Sequence, residues 1–357
     1  MSPELCAPSE VGLCRSSSGG SVGVAGRRLG VAVASEGEAP FWTPIVEYLR
    51  CPRCRRLMTQ GRGGVSCSEG HRFPESAGYL DFSNESRKEG TTARTLSSFG
   101  YEWTTFDGVR EEDESFAAIY FKDVDLPGCA GSIGLDAGCG KGRFTRVLGR
   151  HLKTVVALDG SDAVSAAVEN LKEFDNVCVV RADLRLPLFA PESFDFIMSL
   201  GVLHHLDDPR EGFMHLVQYL APGGQLLVYL YSRPETLNTR AISLAAASAV
   251  RRLTVHLPHS ILRVLAAPIA AILYFGMVLP GQWGNRNPAL RRLAKLPMST
   301  YRDKPFRSLV LDTFDRLSAP VEHRYTWAEL EPWFADAGLV VDAARDDTGW
   351  FVLAHRS

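Results

Sequence analysis

A regular alternation of apolar runs and amphipathic segments, from about Gly131 to Tyr231, is the feature that most limits what this chain can fold into. The apolar runs predict five strands, at Ser132–Asp136, Thr154–Asp159, Val177–Arg181, Phe194–Leu200 and Gln225–Tyr231. The segments between them predict helices at Gly142–His151, Ala163–Lys172 and Pro209–Leu220. Because strands that alternate with helices form parallel sheets covered on both faces, we predict an α/β fold with a doubly wound sheet.

The end of the chain predicts the closing elements of the same sheet. The segment "TWAELEPWFADAG" has the pattern of a helix that is capped by Thr326 and closed by Gly338. The runs "LVVDAAR" and "GWFVLAHR" then lie close enough in sequence to form an antiparallel pair at one sheet edge. A mostly parallel, seven-stranded sheet with a terminal antiparallel hairpin results.

The chain of 357 residues is too long for one ordinary domain, and its hydrophobic fraction of 45% is enough for a full core. Changes in composition predict six segments: a disordered tail (1–40), a small Cys-containing unit (41–85), a linker and lid (86–130), the first part of the core (131–233), a helical insertion (234–319) and the rest of the core (320–357). The tail lacks the pattern of a signal peptide, so we expect a cytoplasmic protein, with a transit peptide as the alternative.

A glycine turn follows the first predicted strand, in "GLDAGCGKGRF". Asp136 ends the strand, and Gly138, Gly140 and Gly142 lead to a helix N-terminus at the sheet edge where open α/β folds bind ligands. The Gly-x-Gly-x-Gly spacing differs from the dinucleotide pattern, and the carboxylate of Asp136 would repel a phosphate. A cationic or zwitterionic ligand therefore fits this turn better.

Two more acidic residues end the next strands. Asp159 in "VVALDGSD" is placed to accept hydrogen bonds from ribose hydroxyls. Asp183 in "VVRADL" is placed to accept one from an adenine amino group, while Leu184 packs on the ring. The alternative is that the glycines only make turns and that the two aspartates cap the following helices.

Four segments, "LDAGCGKGRF", "VVALDGSD", "RADLRLPLFAPESFDFIMSLGVLHHLDDP" and "LAPGGQLLVYLY", resemble in order and spacing the motifs of class I S-adenosylmethionine-dependent methyltransferases, similar to types 11 and 25. The resemblance implies a Rossmann-like domain that binds S-adenosyl-L-methionine. It implies that Asp136 and the three glycines surround the methionine end of this cofactor. The predicted cofactor-binding residues are Asp136, Gly138, Cys139, Gly140, Gly142, Asp159, Gly160, Asp183, Leu184 and Leu200.

The pair His204 and His205 in "GVLHHLDDP" follows the fourth strand, on the substrate side of the cofactor in the family that the chain resembles. A sulfonium is already a good methyl donor, so the protein mainly aligns the acceptor and removes its proton where there is one. Histidine has a near-neutral pKa and is suited to that step. We predict both residues as catalytic candidates, with packing or substrate orientation as the alternative.

A second motif lies in "CPRCRRLMTQGRGGVSCSEGH", where Cys51, Cys54, Cys67 and His71 have the spacing of a zinc ribbon. Three thiolates and one imidazole form a closed, structural Zn²⁺ site, and metal binding is then part of folding so small a unit. A redox pair is the alternative. The segment resembles the N-terminal zinc module of bacterial ribosomal RNA guanine methyltransferases.

The segment "SFGYEWTTFDGVREEDE" predicts an aromatic lid over the cofactor, formed by Tyr101, Trp103 and Phe106. The alternative is that these rings anchor a linker to the core.

The insertion contains "ILRVLAAPIAAILYFGMVLP", whose residues 261–279 reach the lower range of a membrane span. A span would place the flanking strands on opposite sides of the bilayer, so we reject it. Two interpretations stay open: helices packed on each other or in a homodimer, and an apolar surface for a membrane or an apolar acceptor. The bases that follow are suited to phosphate or anionic lipid, with a solvated face as the alternative. They are Arg286, Arg291, Arg292, Lys295, Arg302, Lys304 and Arg307.

These observations predict a methyltransferase enzyme that acts on a small or medium organic acceptor, such as a sugar, a natural product or a quinone-type metabolite. Methylation of an RNA base is the alternative, which the ribbon's arginines favour and the net charge of -2 disfavours. The third interpretation is a non-catalytic partner subunit that binds the cofactor.

Overall fold

A sheet of eleven strands runs through the part of the chain that the computed structural model describes: residues 40–86, 91–105, 117–236, 239–296, 298, 301–347 and 349–357. The strands are β1 (Met58–Gly61), β2 (Gly64–Cys67), β3 (Arg72–Ser76), β4 (Tyr79–Asp81), β5 (Ile133–Ala137), β6 (Thr154–Asp159), β7 (Val177–Arg181), β8 (Phe194–Leu200), β9 (Leu220–Leu230), β10 (Leu339–Asp346) and β11 (Trp350–Arg356). Their spatial order is β1-β2-β3-β4-β7-β6-β5-β8-β9-β11-β10. The predicted tail, up to residue 39, lies outside the described residues.

The helices of the described residues alternate with the core strands and then fill the insertion. They are α1 (Thr91–Thr105), α2 (Thr145–Gly149), α3 (Val164–Leu171), α4 (Pro209–Val217), α5 (Thr239–Thr254), α6 (His259–Leu273), α7 (Leu279–Arg286), α8 (Phe306–Ser318) and α9 (Trp327–Asp336). Strands β5 to β9 pair in parallel. The predicted doubly wound, mostly parallel Rossmann-like sheet is confirmed.

The bounds of the core strands differ little from those that the sequence predicts. β6, β7 and β8 agree at both ends, and β5 is shifted by one residue. β9 begins earlier than predicted because Leu220 already pairs with Phe194 of β8, ahead of the Pro-Gly-Gly turn. Helix α2 is shorter than predicted because residues 142–144 belong to the glycine turn before it.

The closing elements follow the prediction. Thr326 and Glu329 form a capping box at the start of α9, and Gly338 takes a positive φ of 68° just after it. β10 and β11 pair in antiparallel fashion at the sheet edge, and β11 also pairs with β9. The segment that follows the insertion is therefore hydrogen-bonded to the strand that precedes it.

The Cys-containing unit extends the core sheet, which its sequence alone does not indicate. β1 to β4 form an antiparallel meander, and β4 pairs in parallel with β7 through Leu80 and Val180. Trp42 and Phe82 are fully buried in the same hydrophobic cluster as the interior of β7. The sheet consequently has eleven strands in the described residues, whereas seven were predicted for the core.

The predicted linker contains a helix that the sequence did not indicate, whereas the predicted insertion is helical as expected. Residues 91–105 of the linker form α1, which packs against α8. In the insertion, α6, a π-helical turn (Tyr274–Val278) and α7 form one continuous helix, His259–Arg286. Within this helix of 28 residues, an 18-residue window has a mean hydropathy of 2.1, and the helix is, among the described helices, the one long and apolar enough to cross a membrane by length and composition.

Candidate active site

A cleft lies at the carboxyl ends of β5, β6, β7 and β8, as the glycine turn predicts. Its sheet side is lined by Gly138, Cys139, Gly140, Lys141, Arg143, Phe144, Leu158, Asp159, Gly160, Ala182, Asp183, Leu184, Leu200, Gly201, Val202, His205 and Leu206. Eight of the ten predicted cofactor residues belong to this set. Asp136 and Gly142 are outside it.

Two glycines of the turn are required by close packing behind the cleft. Gly138 has a φ of 95°, and a Cβ added to it would stand 2.3 Å from a methyl carbon of Val202. Gly142 has a φ of 81°, and its added Cβ would stand 2.7 Å from Leu171. At both positions the backbone lies in the left-handed region, and a Cβ would collide with the neighbouring side chain, so only glycine fits. Gly142 thus shapes the turn from below, whereas Gly138 also faces the cleft.

Asp136 lies beneath the turn. Its side chain is 2% exposed and accepts a hydrogen bond of 2.6 Å from the hydroxyl of Thr145, the first residue of α2. Burial raises the pKa of Asp136 to about 7, although the hydrogen bond from Thr145 by itself lowers it. The carboxyl group therefore connects β5 to α2 and does not form part of the cleft wall.

Asp159 and Asp183 line the cleft, but protein groups already bind both carboxylates. Asp159 accepts hydrogen bonds from the backbone N–H of Gly140 at 2.9 Å and from the hydroxyl of Ser161 at 2.6 Å. Asp183 is held by Arg185, whose Nε and Nη2 donate to its two oxygens at 2.9 and 2.7 Å. Oδ1 of each carboxylate accepts a second hydrogen bond, from the backbone N–H of Ser161 or of Arg185, so a ligand hydroxyl or amino group would have to share Oδ2 with the protein.

Helix α1 covers the cleft with residues other than the predicted aromatic lid. Thr95, Leu96 and Phe99 line it, and Leu96 approaches Gly160 so closely that an added Cβ there would stand 3.0 Å away. Tyr101 was predicted as part of the lid and instead packs on His259 and Phe314 of the insertion.

The lid prediction thus identified the segment and misplaced the contacts. The side chain of Trp103 and the whole of Phe106 lie outside the described residues. Leu96 and Phe99 are two apolar residues in a polar segment, which is too few to give a hydrophobic pattern in the sequence. Only the helix shows that they face the cleft.

The two histidines differ in what surrounds them. His205 lines the cleft, and its ring lies 4.9 Å from that of Phe99. Its Nδ1 lies 2.7 Å from the carbonyl oxygen of Val321, and since a carbonyl can only accept, Nδ1 carries the proton. The other nitrogen, Nε2, is then left with its lone pair. Burial lowers the pKa of His205 to about 4, so the ring is neutral at pH 7.

His204 is fully buried behind His205 and does not line the cleft. Its ring stacks on Tyr231 with 3.8 Å between centroids, and neither ring nitrogen has a hydrogen-bond partner among the described residues. Burial lowers the pKa of His204 well below its usual value. Of the two predicted catalytic candidates, only His205 reaches the cleft.

An ion-pair network behind the histidines attaches the insertion to the core. Glu322 accepts hydrogen bonds from Arg251 of α5 and, at 2.7 Å, from Arg324. The guanidinium of Arg324 also lies over the ring of Tyr231, 4.7 Å from its centroid. Burial alone would raise the pKa of Glu322, but the bond from Arg251 and the two positive charges lower it to about 2. The sequence gives no signal of this network, because Arg251 lies 71 residues before Glu322 in the chain.

The four predicted metal ligands lie together in the meander of β1 to β4. Their ligand atoms all lie within 4.8 Å of one another, and Cys54 Sγ is 3.6 Å from Cys67 Sγ. Nδ1 of His71 is 3.4 Å from the sulfur atoms of both Cys51 and Cys67. Tetrahedral Zn²⁺ with bonds of about 2.3 Å separates its sulfur ligands by about 3.8 Å, so this set fits the ion.

Comparisons with known proteins agree with this geometry. Residues 135–228 match the family described as "Methyltransferase domain". A Homo sapiens protein named "Probable tRNA methyltransferase 9B" is 33% identical over 105 residues, which are 29% of this chain and 22% of that protein. The 23S rRNA (uracil(1939)-C(5))-methyltransferase RlmD of Pseudomonas fluorescens is 37% identical over 114 residues, 31% of this chain and 25% of that protein.

The chain thus spans about a quarter of the length of these curated relatives. Among solved structures, magnesium protoporphyrin IX methyltransferase of Synechocystis PCC 6803 with bound SAH is 16% identical, with a TM-score of 0.41. That likeness covers 75% of this chain and all of the other. Residues 135–228 of the chain thus match a methyltransferase domain, and the sheet side of the cleft lies within this segment.

Proposed function

We propose that the protein transfers the methyl group of S-adenosyl-L-methionine to a small or medium-sized organic acceptor, with His205 as the general base where the acceptor carries a proton. One observation carries the proposal: His205 stands on the wall of the same cleft that the glycine turn of the methyltransferase domain forms. A general base must reach the acceptor from the cofactor pocket, and His205 is the predicted candidate that does.

The lining of the cleft suits the parts of the cofactor. Gly138 and Gly140 border the cleft with bare backbone where the methionine end would lie, and Oδ2 of Asp159, which accepts one hydrogen bond from Gly140, has a lone pair left for a ribose hydroxyl. Leu184 and Leu96 offer apolar contacts to an adenine ring, while α1 excludes water. When bound, S-adenosyl-L-methionine supplies a sulfonium methyl group that needs no further activation by the protein.

The chemical state of His205 suits proton removal. Its Nδ1–H is held by the carbonyl of Val321, which fixes the ring and leaves Nε2 as the acceptor. Because burial lowers its pKa to about 4, the ring stays neutral and able to take a proton throughout the physiological pH range. A base of this strength would act on an acceptor whose proton is lost as the methyl group arrives.

The environment of the zinc ribbon supports an acceptor smaller than RNA. Arg53 and Arg56 form ion pairs with Glu85 and Glu69, which lowers the positive charge that the ribbon presents. β4 of the ribbon borders β7, whereas His205 follows β8, so β7, β6 and β5 stand between them in the sheet. That separation of four strand spacings is about 19 Å, so the ribbon lies on the adenine side of the cleft.

Methylation of an RNA base is the second candidate. It is supported by the names of the relatives above, which include tRNA and rRNA methyltransferases. Within the ribbon, Arg55, Arg62 and Arg72 are exposed and have no ion-pair partner among the described residues. In either case we propose that Cys51, Cys54, Cys67 and His71 hold a structural Zn²⁺ ion.

The test follows radiolabelled methyl groups from S-adenosyl-L-methionine into a lysate that is separated into RNA and an organic extract. We expect label in the organic extract, reduced at least about 100-fold by His205→Ala, while calorimetry shows an unchanged affinity for the cofactor. Label in RNA would establish the second candidate instead. Cofactor binding with no label in either fraction would support a non-catalytic partner subunit.

A matched pair of variants separates the base from the scaffold. Val202→Ala changes a neighbouring cleft residue that has no titratable group, and it should retain most of the activity. His205→Gln keeps a hydrogen bond to Val321 without a basic nitrogen and should be as inactive as His205→Ala. Full activity of either His205 variant would contradict the proposed base.

A further inference from the structure

The insertion carries most of the exposed apolar surface of the described residues. Of fifteen large hydrophobic side chains that are exposed, twelve lie between Ile242 and Phe306. These twelve are Ile242, Val250, Leu253, Leu257, Ile261, Val264, Leu265, Ile272, Phe275, Trp283, Leu290 and Phe306. Scattered exposed apolar residues are normal on a protein surface, but a concentration in one segment marks an interaction site.

The long helix His259–Arg286 arranges its share of these residues in a stripe. Exposed side chains recur at positions 261, 264, 265, 268, 272, 275 and 283, that is, mostly at intervals of three or four residues. Val264, Ile272 and Phe275 are 72%, 71% and 66% exposed. The opposite side buries Leu262 and Ala266, which pack with residues of α8. The helix is thus apolar on both sides, and the described residues cover only one of them.

The charges around this stripe have one sign. Between Glu235 and Asp303 the sequence contains no acidic residue. Six exposed bases lie there, and in the described residues none of them forms an ion pair: Arg252, Arg263, Arg286, Arg291, Arg292 and Lys295. Two of them are near the start of the stripe, and the other four are at or just beyond its end. The whole chain has a net charge of -2, so the basic character is local.

We propose that this surface, the stripe together with the six bases, docks onto the surface of a bilayer that contains anionic phospholipids. The apolar side chains would enter the boundary between headgroups and acyl chains, and the arginines at both ends would meet lipid phosphates. The complementarity of charge and the length of the apolar stripe carry this inference. It does not depend on the proposed methyl transfer.

Two other occupants fit the structure less well. A single membrane crossing would separate β9 from β11, yet these strands are hydrogen-bonded neighbours on either side of the insertion. No second helix in the described residues is long and apolar enough for the chain to return. A symmetric pair of copies would bring the same unpaired bases toward each other, because each copy presents the same surface.

The test is co-sedimentation of the full-length protein with two kinds of vesicle, pure phosphatidylcholine and equal parts of phosphatidylcholine and phosphatidylglycerol. We expect binding to the mixed vesicles that is at least about tenfold stronger than to the neutral ones and that decreases with added salt. Ile272→Gln with Phe275→Gln should weaken this binding at least about tenfold. Replacement of Arg291, Arg292 and Lys295 by Gln should remove the preference for the anionic vesicles.

The control is Val340→Gln, because Val340 is 48% exposed on the edge strand β10 and should not affect vesicle binding. Cofactor affinity of every variant, measured by calorimetry, shows that the fold is intact. Equal binding to both vesicles, or none to either, would overturn the proposal. The proposal would also be overturned if the wild type formed a dimer that did not bind vesicles and that the double variant Ile272→Gln with Phe275→Gln converted to a monomer. A third contrary outcome is vesicle-bound protein that alkaline pH does not extract, which would indicate insertion across the bilayer.

Discussion

The predicted zinc ribbon and the helical insertion are both additions to the same core, and they are attached in opposite ways. The ribbon joins through backbone hydrogen bonds of β4 to β7 and shares one hydrophobic cluster with the sheet. The insertion joins through side chains, among them the ion pairs of Glu322 with Arg251 and Arg324. The ribbon pairs several of its charges, whereas the insertion leaves bases and apolar side chains exposed.

The mode of attachment bears on how each region serves the cleft. A backbone ladder fixes position firmly, so the ribbon supports β7, the strand that leads to Asp183. Side-chain contacts leave a surface free for another partner, and the insertion has such a surface. The insertion also supplies Phe314, against which α1 rests through Tyr101. The four predictions below test this contrast.

The largest effect is expected from loss of the metal. Replacing both Cys51 and Cys54 by Ser should remove about one equivalent of zinc and unfold β1 to β4, at a cost of about 5 kcal/mol or more. Because Trp42 and Phe82 share the core of β7, hydrogen exchange should rise in β7 as well as in the ribbon. Cys129→Ser, outside the cluster, is the control and should retain the metal. Slow exchange in the ribbon of the metal-free variant would contradict a structural role for zinc.

The attachment of the insertion should be sensitive to one buried carboxylate. Glu322→Gln leaves Arg251 and Arg324 partly buried without their counter-charge, which should lower the free energy of unfolding by about 3–5 kcal/mol. Glu331 is exposed on α9, and Glu331→Gln should change that free energy by less than about 0.5 kcal/mol. Denaturant unfolding measures both. Equal effects of the two variants would show that the network does not attach the insertion.

The same carboxylate predicts how stability depends on pH. Its pKa is about 2 in the folded protein and 4.5 when unperturbed, so its contribution is complete above about pH 4.5 and is lost as the pH falls toward 2. His205 affects stability at higher pH, because folding lowers its pKa from 6.5 to about 4. The unfolded chain therefore binds this proton first, and stability decreases as the pH falls from about 6.5 to 4. Glu322→Gln should flatten the lower window in a pH series of unfolding measurements, and because the charge of Glu322 also raises the pKa of His205, it should extend the upper window toward lower pH. A change confined to the upper window would contradict this assignment.

The smallest effect is expected on the exposed stripe. Ile272→Gln should leave the free energy of unfolding within about 0.5 kcal/mol of the wild type, because 71% of the side chain is already in contact with water. Leu57→Gln in the ribbon, where the leucine is 51% exposed, should be equally mild. Thermal denaturation compares the two. A marked loss of stability for Ile272→Gln alone would mean that the stripe is covered in the free protein.

Much of the candidate site could be predicted because its signals are local. The glycine turn, the acidic residues that end β6 and β7 and the four metal ligands each lie within a short segment, and the structure brings them together. The roles of the two histidines could not be separated, because they are adjacent in sequence and differ only in what packs around them. The carbonyl of Val321, more than a hundred residues later, is what fixes His205.

The sequence was enough to predict the order of the core strands and helices, the turn at the cleft and the Cys/His cluster, because each depends on the spacing of neighbouring residues along the chain. Tertiary structure alone decided that Asp136 lies under the cleft, that Leu96 and Phe99 cover it and that the ribbon extends the sheet. It also decided which side of the long helix remains exposed. These outcomes depend on contacts between distant segments, and an apolar side chain in the sequence does not reveal which surface it will meet.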